Sequence, residues 1–326
     1  MKAQDLKIIF MGTPEFAVSS LRQLVENKLN VVAVVSPPDR PAGRGHKLQA
    51  SAVKKYALTE NIPVLQPEKM KDPIFLEELR AYQADLFIVV AFRMLPKEAW
   101  QMPAMGTFNL HGSLLPQYRG AAPINRAIMN GEKHTGVTSF FIDEKIDTGS
   151  ILMKTECSIG ENETAGELHD KMMLIGAKLV VKTVEKIAEG NIEAQRQENF
   201  YDNATELNEA PKIFKEDCKI DWNQDVSVVH NHIRGLSPYP AAWSKLIDSN
   251  TNKELVVKIF QTSISSEKIQ DQEPGTVISD GKTQLYVACK NGFIAVHELQ
   301  MAGKKRIKIA DFLRGFSIEK NNKFES

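Results

Sequence analysis

The chain has 326 residues, of which 42% are hydrophobic and 25% are charged. This globular composition is long enough for one large domain and a smaller one. Lysine and arginine together number 41, as do aspartate and glutamate, so the formal net charge is zero. The net charge therefore gives no long-range attraction to nucleic acid or to an anionic membrane. The three cysteines are far apart and form no CxxC motif or His/Cys cluster, which predicts a reducing compartment and no bound metal.

Short apolar runs bounded by turn residues recur in the first half of the chain, at residues 8–11, 31–35, 85–91, 107–110 and 137–142. The first run is too brief for a signal sequence or a membrane span, and no Arg-rich presequence precedes it. We therefore expect a first strand there, in a bacterial cytoplasmic protein that does not bind membranes. Amphipathic stretches such as 17–27 and 73–83 separate several of the runs.

The alternation of buried strands and amphipathic helices predicts an α/β protein with a mostly parallel, Rossmann-like sheet and helices on both faces. Sites in such sheets form beyond the carboxyl ends of the strands. A strong helical pattern at 164–189 is followed by a polar segment without periodicity. We predict an α/β domain over residues 1–190 and a linker over residues 191–210.

The remaining residues, 211–326, predict a second domain. A short helix near 226–234 and a Pro-rich corner at 237–240 precede strand-like runs at 255–261, 275–278, 284–288 and 293–299. Several short strands separated by turn residues are typical of a small open β-barrel of the OB type.

The most informative stretch begins with Asn109 and His111, where a predicted strand runs into a loop rich in glycine and proline. Their i, i+2 spacing places both side chains on the same side of an extended backbone. An amide and an imidazolium that act together can polarise a carbonyl and stabilise the oxyanion of an acyl transfer. The alternative is structural, since an Asn often closes a strand and a His is often buried with its hydrogen bonds satisfied.

A second strand ends in a turn with three carboxylates, of which Asp147 is the candidate partner of His111. A carboxylate beside the imidazole would fix its tautomer and prepare it to shuttle the proton that an attacking amine loses. The spacing alone is equally compatible with an aspartate that merely caps the turn Asp147-Thr148-Gly149.

These motifs together resemble the folate-dependent formyltransferases: Asn109-x-His111, Ser113-Leu114-Leu115-Pro116, Arg119-Gly120-Ala121-Ala122-Pro123 and Asp147-Thr148-Gly149. The opening Phe10-Met11-Gly12-Thr13-Pro14-Glu15-Phe16 and the loop Pro38-Asp39-Arg40-Pro41-Ala42-Gly43-Arg44-Gly45 resemble the members that formylate methionine esterified to initiator tRNA. The likeness extends in order along the chain, through the linker and the C-terminal barrel.

The resemblance implies a monomeric enzyme with the catalytic residues Asn109, His111 and Asp147, 10-formyltetrahydrofolate as formyl donor and initiator methionyl-tRNA as acceptor. It also implies a folate site formed by Ser113, Leu114, Leu115, Pro116, Arg93, Met94, Leu95, Asp143 and Glu144. The segment Phe92-Arg93-Met94-Leu95-Pro96 departs from the Tyr-Gly-x-Ile-Leu-Pro expected of many relatives.

Two basic segments favour tRNA as the acceptor. Arg40, Arg44 and Lys47 lie in a loop rich in glycine and proline, which can order against phosphates. Residues 211–326 hold 17 Lys and Arg against 14 Asp and Glu, a net charge of +3, with positive charge concentrated at Lys304, Lys305 and Arg306. Each segment could instead be an ordinary solvated surface.

Three other functions remain open at this point. A formyltransferase for a nucleotide-linked sugar amine would share the catalytic residues but has no evident use for the basic loop. A non-catalytic RNA-binding protein would have no use for an intact catalytic trio. A nucleotide-dependent oxidoreductase is disfavoured, because Gly12-Thr13-Pro14 lacks the GxGxxG pattern.

Overall fold

The computed structural model describes residues 1–42, 47–202, 206–248, 253–267, 272–318 and 322–325. The helices are α1 (Glu15–Glu26), α2 (Ala52–Thr59), α3 (Pro73–Ala81), α4 (Lys97–Trp100), α5 (Pro123–Met129), α6 (Ala165–Glu189), α7 (Val226–Leu236) and α8 (Ile309–Gly315). None of these helices combines the length and the apolar character needed to cross a bilayer.

Eighteen strands complete the described elements. In chain order they are β1 (Ile8–Gly12), β2 (Val31–Val35), β3 (Arg40–Ala42), β4 (Lys47–Gln49), β5 (Val64–Leu65), β6 (Leu86–Val90), β7 (Thr107–His111), β8 (Arg119–Gly120), β9 (His134–Phe141), β10 (Ile151–Ser158), β11 (Glu209–Ala210), β12 (Ala242–Asp248), β13 (Lys253–Ile264), β14 (Val277–Ser279), β15 (Leu285–Cys289), β16 (Gly292–Met301), β17 (Ile307–Lys308) and β18 (Lys323–Phe324).

Seven strands form the first sheet, in the order β10-β9-β7-β6-β1-β2-β5. Strand β1 pairs in parallel with both β2 and β6, and β6 pairs in parallel with β7. Strand β9 departs from this direction, because it runs antiparallel to β7. The chain thus crosses from one side of β1 to the other between β2 and β6, as doubly wound sheets do. The predicted mostly parallel, Rossmann-like sheet is confirmed.

The central strands are apolar on both faces, since every residue of β1 and β6 is buried. Continuous rather than alternating hydrophobicity is expected of parallel strands covered on both sides. Two helices of this part of the chain begin at capping residues. Ser51 accepts a hydrogen bond from the Lys54 backbone N–H at 3.0 Å, and Asp72 accepts one from Ile74 at 3.0 Å.

Helix α6 packs closely against β7. A side chain at Gly176 would place its Cβ 2.8 Å from Leu110 Cδ2, so only glycine allows this approach without a shift. About two turns further along α6, the Thr183 hydroxyl lies 2.9 Å from that of Ser139 in β9. These contacts fix the side of β7 that carries Leu110, and they leave the opposite side for polar residues.

A second sheet has the order β14-β15-β16-β13-β12-β18, with β17 paired to β16. The neighbours with a determined register are all antiparallel. Its two ends approach each other, because the Phe324 backbone N–H donates to the Gly275 carbonyl at 2.8 Å and Thr276 bridges to Lys323. The sheet therefore forms a nearly closed barrel, and the predicted C-terminal antiparallel barrel is confirmed.

Trp222 lies in the core of this barrel with no exposed surface. Its indole N–H donates to the Ser244 hydroxyl at 3.2 Å, and its ring lies 5.3 Å from that of Phe324. A buried indole needs such a partner, because an unpaired N–H inside an apolar core is costly.

The chain divides into two compact units. The first comprises Met1–Gly120, Gly136–Cys157 and His169–Glu209, and the second comprises Ala121–Thr135, Ser158–Leu168 and Ala210–Ser326. The second unit thus includes α5 and the start of α6 as well as the barrel. Within the predicted linker, Gln195 bridges to Ile151 in an antiparallel pairing and Gln197 is fully buried. Division into functional domains at residues 190 and 211 stays a prediction.

Cysteine burial gives a prediction about thiol reactivity. Cys289 is 4% exposed, and burial raises the pKa of its thiol to about 12. Burial also raises the pKa of the Cys218 thiol, whereas Cys157 is only partly buried. Because the thiolate is the reacting species, we expect iodoacetamide at pH 8 to label Cys157 first and the other two only after denaturation, as read by peptide mass spectrometry. Rapid labelling of native Cys289 would contradict this prediction.

Candidate active site

The site is built on the polar side of β7. Phe108 and Leu110 are buried, and Leu110 packs on α6, so Asn109 and His111 project to the opposite side of the sheet. Asn109 is paired across the strands with Phe140, and His111 is paired with Thr138. The structure thus places Asn109 and His111 on the same side of one strand, as the i, i+2 spacing predicts.

Both ring nitrogens of His111 face an oxygen acceptor. Nε2 lies 2.8 Å from the Tyr118 carbonyl oxygen, and Nδ1 lies 3.7 Å from Asp147 Oδ2. A carbonyl can only accept, so Nε2 carries a proton. The separation between Nδ1 and Asp147 is too long for a hydrogen bond, and this contact is therefore electrostatic. The His111 side chain is 7% exposed and that of Asp147 is 14% exposed, so water screens the pair poorly.

The turn after β9 brings Asp147 back towards His111. Strand β9 ends at Phe141, which is paired with Phe108 near the start of β7. The turn that follows must therefore come back along β7 before its carboxylate can approach His111. Asp147 has a φ of +56°, in a region that few non-glycine residues occupy. The Gly120 backbone N–H donates to Asp147 Oδ2 at 3.0 Å and holds the carboxylate in place.

The loop that carries Ser113 to Pro116 is held mainly by its own hydrogen bonds. The buried Ser113 hydroxyl donates to the Gln117 carbonyl at 2.6 Å. Thr138 Oγ1 donates to the Ser113 carbonyl at 2.7 Å and accepts from the Leu115 N–H at 3.1 Å. The Leu115–Pro116 peptide is cis. The Ser113 hydroxyl therefore stabilises the loop, while the buried Leu115 side chain packs with Phe140 and Ile151. A folate contact by the residues of this loop stays a prediction.

Two of the segments predicted to form the folate site, the one after β6 and the one after β9, lie beside each other. Lys97 pairs with Glu144, and this ion pair holds the pKa of the Glu144 carboxyl below its usual value. The pair joins the segment after β6 to the turn after β9. Asp143 accepts hydrogen bonds within that turn, from the Lys145 N–H at 3.0 Å and from the Thr148 hydroxyl at 2.7 Å.

The three residues predicted after β6 have different environments. Arg93 donates to the carbonyls of Pro67 and Glu68, and burial lowers the pKa of its guanidinium. Met94 is 73% exposed, whereas Leu95 is buried in the core of the first unit. Of these three residues, only Met94 therefore presents a large exposed apolar side chain.

Sequence reasoning did not identify Gln197, which packs against the Asp147 turn. It accepts hydrogen bonds from Arg119 and donates to the carbonyls of Asp147 and Gly149. Gln197 also lines a cleft of about 380 Å³ together with Phe141, Ile142, Asp143, Thr148, Gly149, Ser150, Arg196 and Glu198. No sequence signal marked Gln197, because the surrounding segment is polar and has no periodicity.

The basic residues proposed to bind tRNA are only partly described. Arg40 is exposed in β3, while Arg44 and the side chain of Lys47 lie outside the described residues. In the barrel, Lys304 and Lys305 are exposed. Arg306 instead pairs with Glu298 and lies over the Phe260 ring at 4.5 Å. The positive charge available at this surface is therefore carried mainly by the two lysines.

Comparison with known proteins shows the family to which the chain belongs. A family model described as formyl transferase matches residues 6–184, and one described as formyl transferase, C-terminal domain, matches residues 212–317. The chain belongs to the formyl transferase family. It is 54% identical over 321 residues to a Bacteroides thetaiotaomicron protein named methionyl-tRNA formyltransferase, covering 98% of each chain. A Flavobacterium johnsoniae protein of the same name is 51% identical over 315 residues, which are 97% of this chain and 98% of the relative.

The fold is also that of solved members of the formyl transferase family. An N-formyltransferase from Helicobacter canadensis, in complex with folinic acid and dTDP-3-aminofucose, matches with a TM-score of 0.65. The match covers 93% of this chain and 100% of the other, at 22% sequence identity. This likeness confirms the fold class, while the family models and the close relatives confirm the resemblance to formyltransferases found in the sequence.

Proposed function

We propose that this protein transfers the formyl group of 10-formyltetrahydrofolate to the free amino group of methionyl-initiator tRNA. The observation that carries the proposal is the largely buried pair of His111 and Asp147, whose Nδ1 and Oδ2 atoms lie 3.7 Å apart. Asn109 projects from the same side of β7 as His111. Such a group of amide, imidazole and carboxylate is what acyl transfer to an amine requires. The close relatives of nearly equal length carry the name of that activity.

Each of the three residues has a distinct role in this proposal. The Asn109 amide and the His111 imidazolium stabilise the negative charge that develops on the formyl oxygen when the amine attacks the formyl carbon. The amine loses a proton as it attacks, and His111 accepts this proton at Nδ1. The Asp147 carboxylate stabilises the positive charge that the ring then carries. As the bond from the formyl carbon to the folate nitrogen breaks, the ring passes the proton to that nitrogen, which leaves as part of neutral tetrahydrofolate. No step of the scheme uses a metal.

The folate site is proposed to lie where the segment after β6 meets the turn after β9. The Lys97–Glu144 pair holds these segments together, and the exposed Met94 offers an apolar surface beside them. Arg40, Arg44, Lys47, Lys304 and Lys305 are proposed to contact tRNA phosphates, with a smaller part for the paired Arg306. We further propose that the protein acts as a cytoplasmic monomer.

The decisive experiment is an assay of the purified protein with 10-formyltetrahydrofolate and three separate acceptors: charged initiator tRNA, charged elongator methionine tRNA and a nucleotide-linked aminosugar. We expect formylation of the initiator tRNA to be fastest. Formylation of the aminosugar alone would instead assign the protein to sugar metabolism. Failure to formylate any acceptor, by a protein that still binds tRNA, would support a non-catalytic RNA-binding role.

The basic loop gives a prediction about the acceptor. Replacing Arg44 by Ala removes one cation that we propose contacts tRNA, and the loss of a charge-assisted contact of roughly 1.4 kcal/mol lowers kcat/KM for tRNA about tenfold. Folate binding, measured by isothermal titration, should not change. Arg80→Ala is the matched control, because Arg80 is an exposed residue on helix α3 that pairs with Glu77 of the same helix. Equal effects of the two substitutions would argue against a tRNA contact at Arg44.

A further inference from the structure

Gln197 is buried in a segment whose neighbouring residues are exposed. Gln197 has no accessible surface, whereas Arg196 and Glu198 on either side are exposed. An uncharged polar side chain is buried without a large cost only when its hydrogen bonds are satisfied. The contacts of Gln197 therefore explain its burial and indicate its role.

All the hydrogen-bonding groups of the Gln197 amide have partners in the first unit. Nε2 donates to the carbonyl oxygens of Asp147 and Gly149, both at 2.9 Å. Oε1 accepts from Arg119, at 3.0 Å from Nε and 2.6 Å from Nη2. A primary amide has two N–H groups and one carbonyl oxygen, so this set uses both donors and the acceptor.

These contacts complete a ring of interactions around the carboxylate of Asp147. Arg119 is followed by Gly120, whose N–H donates to Asp147 Oδ2. Gln197 binds Arg119 on one side and the backbone of Asp147 on the other. The turn and the strand that together orient the carboxylate are thus both held by one side chain. The φ of +56° at Asp147 is unfavourable for an aspartate, and the surrounding hydrogen bonds keep the backbone in it.

We infer that Gln197 is a positioning residue, which sets the Asp147 carboxylate against His111 without touching the reacting atoms. The inference rests on the proposed formyl transfer for its effect on rate. Its geometric part, the placement of Asp147, is independent of the acceptor and of the reaction.

Gln197→Glu separates this role from simple packing. Glutamate has the same size and retains an oxygen for Arg119, but it replaces the NH₂ donor by a second oxygen. That oxygen would lie against the carbonyls of Asp147 and Gly149, which also cannot donate, and the turn would move away. Gln195→Glu is the matched control, because the exposed Gln195 pairs with Ile151 through its backbone.

We expect Gln197→Glu to lower kcat about tenfold and to leave the KM for tRNA and folate within about twofold. In an Asp147→Asn background the same substitution should lower kcat by less than about twofold, because the carboxylate it positions is already absent. Gln195→Glu should leave kcat unchanged. A full tenfold loss in both backgrounds would overturn the inference, since Gln197 would then act independently of Asp147.

Amide hydrogen exchange at Gly120 tests the geometric part without any assay of activity. The N–H of Gly120 is bound to Asp147 Oδ2, so displacement of the turn in Gln197→Glu should accelerate its exchange about tenfold or more. Unchanged exchange would refute the inference even if the protein transferred no formyl group. If Gln197→Glu accelerated this exchange but the wild-type protein transferred no formyl group, only the proposed function would be refuted.

Discussion

Substitution of His111 by Ala should lower the rate of formyl transfer by about a thousandfold. The imidazole is proposed both to stabilise the oxyanion and to relay the proton, and each of these roles is typically worth on the order of a hundredfold or more. Asp147→Asn retains the shape of the side chain but removes its charge, so we expect a loss of about a hundredfold. Single-turnover formylation measured by rapid quench would report both values directly.

The chain contains a second histidine–aspartate pair that serves as a control. His169 Nδ1 lies 3.0 Å from Asp170 Oδ1, and the His169 side chain is 39% exposed. His169→Ala and Asp170→Asn remove the same chemical groups outside the proposed site and should leave turnover unchanged. Binding of tRNA by the His111 and Asp147 variants should remain close to wild type. Loss of binding in parallel with activity would show that the pair is structural.

Gly149→Ala should lower turnover about as much as Asp147→Asn, because no space exists for a side chain at this position. A Cβ on Gly149 would lie 1.7 Å from the Phe141 carbonyl oxygen and 2.8 Å from its carbon. These are backbone atoms at the end of β9, so the turn must move and carry Asp147 with it. We expect a loss in kcat of about a hundredfold, with overpacking that lowers the free energy of unfolding by about 1–3 kcal/mol.

Urea denaturation and single-turnover kinetics on the same preparation would measure the two effects of Gly149→Ala. Gly315→Ala is the matched control, since a Cβ there meets no atom of the described residues within 4 Å. It should alter neither stability nor turnover appreciably. If Gly149→Ala remained fully active, the position of the turn would not govern the reaction, and the role assigned to Asp147 would be wrong.

The first sheet could be predicted because its strands are covered on both faces. Residues 31–35 match β2 in full, and the predicted runs at 8–11 and 85–91 correspond to β1 and β6. The signal was continuous hydrophobicity bounded by turns. Strand β10 has no such signal, because it includes Lys154, Thr155 and Glu156 and its residues are only partly buried. It was missed for that reason.

The site was predictable only where its residues lie close together in sequence. Asn109 and His111 belong to one strand, so alternation alone places them on the same side. The proximity of His111 to Asp147 depends on the antiparallel direction of β9 and on the return of the turn along β7, which local pattern does not encode. Gln197 depends on a contact across about fifty residues, in a segment whose composition predicts no structure. The assignment of catalytic roles remains a prediction for experiment.

The hydrogen bond from His111 Nε2 to the Tyr118 carbonyl restricts how the ring can handle protons. With one nitrogen committed to the main chain, the imidazole has a single basic atom at which a proton can arrive or depart. In the proposed reaction, the amine nitrogen loses a proton and the folate nitrogen gains one. Both must therefore exchange the proton with His111 Nδ1, one after the other. The order of events at the carbonyl carbon is thus constrained by the main-chain oxygen of Tyr118.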